Sequence, residues 1–90
     1  MEFEWDEDKR KKNIEKHGVD FLDAALMFEG AVLSRIDDRQ DYGEVREISL
    51  GMVDNVIYCV THTKRDNRTR IISAWKGGAK EHEQYKKGIP

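Results

Sequence analysis

The apolar positions of this chain change their period near residue 30, which divides it into a helical part and a stranded part. Before the change, "VDFLDAALMFEG" sets Phe21, Ala24, Ala25 and Phe28 at the three- and four-residue spacing of one buried helical stripe. Asp20 is the expected N-cap and Gly30 the stop. The preceding "DEDKRKKNIEKHG" reads as a more polar helix, with Asp6 as N-cap, Glu7 and Asp8 in the first turn, Lys16 and His17 in the last, and Gly18 ending it. His17 at that end reads as a cation complementing the C-terminal carbonyls. Glu7 with Lys11 and Asp8 with Lys12 are spaced for i,i+4 pairs, so most of this charge is a solvated face and only Trp5 and Ile14 are offered to a core. The opening "EFEW" alternates acidic and aromatic residues as a short edge strand does.

After residue 30 the runs "AVLSRID", "EVREISLGM", "NVIYCVTHT" and "TRIISAW" are β-branched or alternating, with the turn formers "DRQDYG", "VDN" and "RDN" between them. Short connections of this kind favour an antiparallel meander over a βαβ unit. Gly77 and Gly78 then form a joint before a polar helix from about Ala79 to Lys87, whose thin apolar side is Ala79 and Tyr85. The expected fold is a small α+β domain spanning residues 1–90. It has a four-stranded antiparallel sheet plus a short N-terminal strand, two N-terminal helices and one C-terminal helix.

Ninety residues, 38% hydrophobic and 38% charged, suit one domain with a modest core. No apolar run approaches the roughly 20 residues of a membrane span, and "MEFEWDEDKRKK" lacks an apolar signal segment, so a cytoplasmic protein without a membrane partner is expected. The single Cys59, inside "VIYCV", reads as a buried small hydrophobe. His17, His62 and His82 fall on three different elements, with no second cysteine and no HxxxH pair, which argues against a metal site. Phosphate-loop and GxSxG patterns are missing too, so no cofactor is expected.

The net charge of −2 conceals a split: residues 1–55 hold 8 Lys and Arg against 15 Asp and Glu, while residues 56–90 hold 8 against 3. A local positive field of this kind is what a phosphate-bearing ligand feels at close range. It centres on "THTKRDNRTRIISAW", where His62, Lys64, Arg65, Arg68 and Arg70 share one hairpin, with Lys76, Lys80 and Tyr85 following. Metal-free RNA cleavage needs a base for the 2′-hydroxyl, cations for the phosphorane charge and an acid for the leaving oxygen. Histidine and arginine are suited to those parts. Taken singly, each is equally a solvated hairpin residue. A two-residue turn at Asp66-Asn67 puts Arg65, Thr63 and Arg70 on one face with Cys59 and Ala74, and His62 on the other with Lys64, Thr69, Ile71 and Ser73. A three-residue loop, Asp66 to Arg68, brings His62, Lys64 and Arg70 to one face instead. The residues permit both.

Three segments carry a resemblance: "WDEDKRKKNIEKHGVDFLDAALMF", "REISLG" and "HTKRDNRTRIISAWK", the last followed by Glu81 and Tyr85. Together they resemble the BrnT family of type II toxins, ribonucleases related in fold to the RelE group. The resemblance implies a RelE-like α+β fold, RNA cleavage that arrests growth, and a BrnA antitoxin that neutralises the toxin and supplies the only DNA contact. It makes His62, Arg65, Arg70 and Tyr85 the expected catalytic residues, with Lys64, Arg68, Trp75, Lys76 and Lys80 as RNA contacts. Where the family pattern has "ISAR", this chain has Trp75, which exchanges a permanent charge and five donors for a stacking surface. Two other readings stay open: a catalytically weak relative that acts by binding its antitoxin in a repressor complex, and an RNA-binding domain that stacks bases on Trp75 and Tyr58.

Overall fold

The computed structural model describes residues 1–89. Five strands, β1 (Phe3–Glu4), β2 (Leu33–Ile36), β3 (Glu47–Val53), β4 (Val56–Arg65) and β5 (Arg68–Lys76), form one sheet in the order β1-β5-β4-β3-β2. The last four make the expected antiparallel meander. β1 joins the outer edge of β5 in parallel, Phe3 opposite Thr69 and Glu4 opposite Arg70, so the sheet is mixed rather than antiparallel throughout. A parallel pair needs a long crossover, and here nearly the whole domain serves as one.

Both tight hairpins turn on an Asp-Asn pair with positive φ at each residue: Asp54 and Asn55 between β3 and β4, Asp66 and Asn67 between β4 and β5. Those angles define the two-residue type I′ turn, whose twist matches that of the strands it joins. Arg65 therefore faces Arg68 and Thr63 faces Arg70. One step further, His62 pairs with Ile71 but Thr61 pairs with Ser73, leaving Ile72 as a bulge. The bulge reverses the alternation expected beyond it. Ser73 and Trp75 share the face of Thr61 and Cys59, while Ala74 joins Val60 in the core.

Two helices and a 3-10 turn cover the first face: α1 (Glu7–His17), α2 (Phe21–Ala25) and its continuation Leu26–Glu29. Val19, Phe21, Ala24 and Met27 pack there on Val60, Ile71 and Ala74. The turn approaches so closely that a Cβ on Gly51 would stand 2.7 Å from the Cβ of Met27. The second face is open except where α3 (Ala79–Gly88) crosses it, with Tyr85 Oη donating to Ala31 O at 2.7 Å.

α1 is capped as expected: Asp6 accepts from the amides of Asp8 and Lys9, and Gly18, at φ 68°, returns its N–H to Ile14 O. Its pairings differ. Glu7 takes Trp5 Nε1 at 2.9 Å and Arg10 at 3.2 Å instead of Lys11, and Arg10 also grips Asp20 with two 2.8 Å bonds. Ile14 is exposed, and the buried residue of α1 is polar: Asn13. Its amide accepts from Ala74 N at 3.1 Å and donates to Ala74 O at 2.8 Å and Val19 O at 2.9 Å. The Asn13 side chain thus pairs the free edge of β5 where β1 has already ended. Replacing it with alanine strands two buried backbone groups of Ala74, each costing about 1–3 kcal/mol. Asn13→Ala is expected to lower the unfolding free energy by about 2–4 kcal/mol in urea titrations; a change within the ordinary ±0.5 kcal/mol of a surface substitution would contradict this role.

Candidate functional site

The type I′ register separates the residues grouped by sequence. His62 and Lys64 point to the helix-covered side of the sheet, and Arg65 and Arg70 to the open side. His62 is 8% exposed, its ring packed edge-on to Phe28 at 5.2 Å, and Nε2 shares a 2.7 Å hydrogen bond with Ser49 Oγ. Ser49 continues to Ser34 Oγ at 2.6 Å. Burial lowers the His62 pKa below its usual 6.5. The ring lines a cavity of about 370 Å³ whose mouth includes Met1, Val45, Glu47 and Lys64.

The remaining hairpin cations are already partnered. Arg70 Nη1 donates to Glu4 Oε2 at 2.6 Å and Arg68 Nε to Glu2 Oε2 at 3.3 Å, so β1 is tied to β5 by side chains as well as by its ladder. Tyr85 is spent on Ala31, while Lys76 and Lys80 are exposed. His62, Arg70 and Tyr85 do not meet.

A different set does. The chain between β2 and β3 folds back on itself, with Asp37 N–H bonded to Arg46 O. Asp37 is buried, takes both Arg39 and Tyr42 Oη, and the Arg39 guanidinium holds its carboxyl well below the usual carboxylate range. The folded-back segment sets the Arg46 guanidinium 4.1 Å over the Tyr42 ring and brings Glu44 between cations. Arg46 Nε donates to Glu44 Oε2 at 2.9 Å, and Arg65 Nη2 lies 3.7 Å from Oε1. The hydrogen bond from Arg46 lowers the Glu44 pKa most, and the charges of Arg65 and Lys9 lower it further. Two segments thus bring two arginines onto one carboxylate, which also borders the cavity beside His62. Sequence reading included only Arg65. The segment was divided between turn and strand, and its fold-back depends on Asp37, which carries no distinctive spacing.

Further along the open face, α3 and the sheet enclose a cavity of about 560 Å³ above Leu50, Cys59 and Trp75. Cys59 is buried as expected, and desolvation pushes its thiol up to about 11. The His17 ring lies 6.2 Å from the Trp75 ring, so the end of α1 reaches this region, with Lys16 and Ser73 bordering the same groove. In the row between lies Thr61, whose Oγ1 is the one buried side-chain polar atom without a hydrogen-bond partner among the described residues.

A family model described as "Ribonuclease toxin, BrnT, of type II toxin-antitoxin system" matches residues 5–81. The chain belongs to the BrnT family. No curated protein matches it. Membership places it among the ribonuclease toxins of type II systems, each paired with an antitoxin, and no helix among the described residues is long and apolar enough to cross a membrane. Several positions of the BrnT resemblance have evident structural duties here: Asp6 and Gly18 cap α1, Asn13 pairs the sheet edge, and Gly51 admits Met27.

The buried imidazole makes a stability prediction. Above about pH 6.5 His62 is neutral in both the folded and unfolded states and contributes no pH dependence. As pH falls below that value the unfolded chain binds a proton that the folded chain takes up only at lower pH, so stability declines down to the folded pKa. The drop in urea midpoint between pH 7.5 and 5.5 is expected to be smaller in His62→Gln than in the unmodified chain, and equal drops would contradict it.

Proposed function

We propose that this chain is a metal-independent endoribonuclease that binds an RNA phosphate on the open face of the sheet, where Glu44 stands in the free protein. The observation that carries this reading is the convergence of Arg46 and Arg65, from separate segments of the chain, on that single carboxylate. Guanidinium groups match the two free oxygens of a phosphodiester as they match a carboxylate. Of the two contacts Arg65 is the easier to exchange, because it is long and its side chain 52% exposed, a class of ion pair worth at most about 1 kcal/mol.

Once displaced, the ionised Glu44 lies beside the phosphate and is placed to accept the 2′-hydroxyl proton. The 2′-oxygen then bonds to phosphorus while the P–O5′ bond breaks, and the 5′-oxygen takes a proton from water. The products are a 2′,3′-cyclic phosphate and a 5′-hydroxyl. Arg46 and Arg65 stabilise the charge that builds on the phosphorane.

His62 acts here as a positioning residue. Through Ser49 it fixes β3, which begins one residue after Arg46. Lys64 and Arg68 at the hairpin tip contact the flanking backbone of the strand, and Arg70 anchors β1. The antitoxin is proposed to be of the BrnA type and to provide the DNA contact of the complex. Leu22 and Leu26, exposed one turn apart on the helical side, offer it an apolar foothold away from the phosphate site.

Incubating the purified chain with RNA in EDTA, with and without ribosomes, tests the reading. Fragments ending in cyclic phosphate are expected, with Arg46→Ala and Arg65→Ala each slowing cleavage by about 10²- to 10³-fold. Glu44→Gln is expected to bind RNA more tightly yet cleave it about 10²-fold or more slowly, whereas His62→Gln keeps most of the rate. Full-rate cleavage by the Arg46/Arg65 double variant, or no cleavage in either condition, would falsify the proposal.

A further inference from the structure

We infer that the cavity beneath α3 is a nucleobase subsite, with Trp75 as its stacking wall. The inference rests on the ribonuclease reading and names where a base of the substrate goes. The volume of about 560 Å³ falls within the roughly 300–1,000 Å³ typical of small-ligand sites. Its walls divide as a base does. Leu50, Cys59 and the half-buried Trp75 indole give a broad apolar surface, while α3 lines it with the Gln84 amide and with Glu81, whose Oε1 accepts from Gly78 N–H to cap the helix. A flat, apolar body with a polar edge matches both parts.

Charge at the mouth narrows the class further. Arg35 of β2 lines the cavity, is exposed, and takes part in no ion pair among the described residues, in contrast to every arginine of the β4–β5 hairpin. The charges of Glu81 and, less strongly, Arg35 both act on the Cys59 thiol at the cavity floor. An unpaired guanidinium beside an aromatic-walled pocket suits an anionic, aromatic ligand, which a nucleotide is. A neutral apolar peptide would leave that cation desolvated.

Location agrees. Ile48 and Leu50 line the cavity from one face of β3, and Arg46 stands just before that strand, so the phosphate cluster and the cavity floor are at most about 13 Å apart at a strand rise of about 3.3 Å. One RNA strand crossing the open face meets both. On this account Trp75 supplies selectivity for the bound base, and the transition-state charge is met by Arg46 and Arg65 at the other end of the face.

Tryptophan emission provides the test. In a Trp5→Phe background Trp75 is the only indole, and it is titrated with AMP, GMP, CMP and UMP, with ribose 5-phosphate as the base-free control. Saturable quenching by at least one nucleoside monophosphate, absent with ribose 5-phosphate, is expected. Arg35→Ala should weaken the monophosphate several-fold and leave the nucleoside unchanged, and Gln84→Ala should alter the ranking of the four bases. Equal quenching by ribose 5-phosphate, or none by any nucleotide while RNA is still cleaved, would overturn the base subsite and leave the ribonuclease reading standing. Loss of cleavage with nucleotide quenching intact would do the reverse. If emission changes only with protein concentration, alongside dimer formation, the cavity receives a second copy of the chain and the inference fails.

Discussion

The architecture depends on how the outer edge of β5 is closed. β1 pairs only Thr69 and Arg70, and beyond them the strand would show bare backbone to solvent or to a neighbouring chain. Asn13 resolves this with one side chain, matching the N–H and C=O of Ala74 as another strand would and holding Val19 O with its remaining donor. Those bonds fix the position of α1 along the sheet. They also fix the α1–α2 junction, which sets where Phe21, Ala24 and Met27 enter the core. From the same helix, His17 reaches Trp75. A single buried amide therefore links the core on one face to the chemistry on the other.

The bulge at Ile72 is the second constraint. Strict alternation would have kept Ala74 with Arg65 and sent Ser73 to the core side with His62. With one extra residue in β5, small Ala74 goes under the helices and Trp75 goes to the open face. The bulge is also where the edge changes partner, from β1 to the Asn13 amide. Local twist increases at such a point, which lets a helix follow the strand.

Much of the fold was legible because it is written in local signals. Asp6, Asp20 and Gly18 cap as their residue types require, and the period-two runs became strands within a few residues. Asp66-Asn67 suited the two-residue turn, although the residues alone left the longer loop open. What was not legible depends on contacts distant in sequence. Asn13 looks like one more polar residue on a charged helix until Ala74, 61 residues away, is beside it. Glu44 and Arg46 read as the start of a strand, yet the strand begins at Glu47 because the buried Asp37 folds the segment back. The candidate site followed the same rule. Clustering in sequence suggested His62 with Arg70, and register placed them on opposite sides.

The charge split along the sequence acquires a different meaning once folded. The acidic first part lies against the basic second part, so Glu2, Glu4 and Glu44 each meet an arginine of the β4–β5 hairpin. The positive field read from the sequence is therefore largely compensated in the folded chain, and a phosphate ligand would compete with a carboxylate at each of these arginines. The three pairs compete unequally. Arg70 with Glu4 is short and only about a quarter exposed on each side, which makes it a joint of the fold. Arg68 with Glu2 is exposed on both sides and involves one cation against one carboxylate. Arg65 with Glu44 is the longest, and there Arg46 adds charge that one carboxylate cannot balance. A polyanion gains most where the existing partner neutralises least, which is why the phosphate site is proposed at the Glu44 corner of the sheet and the base subsite at Trp75.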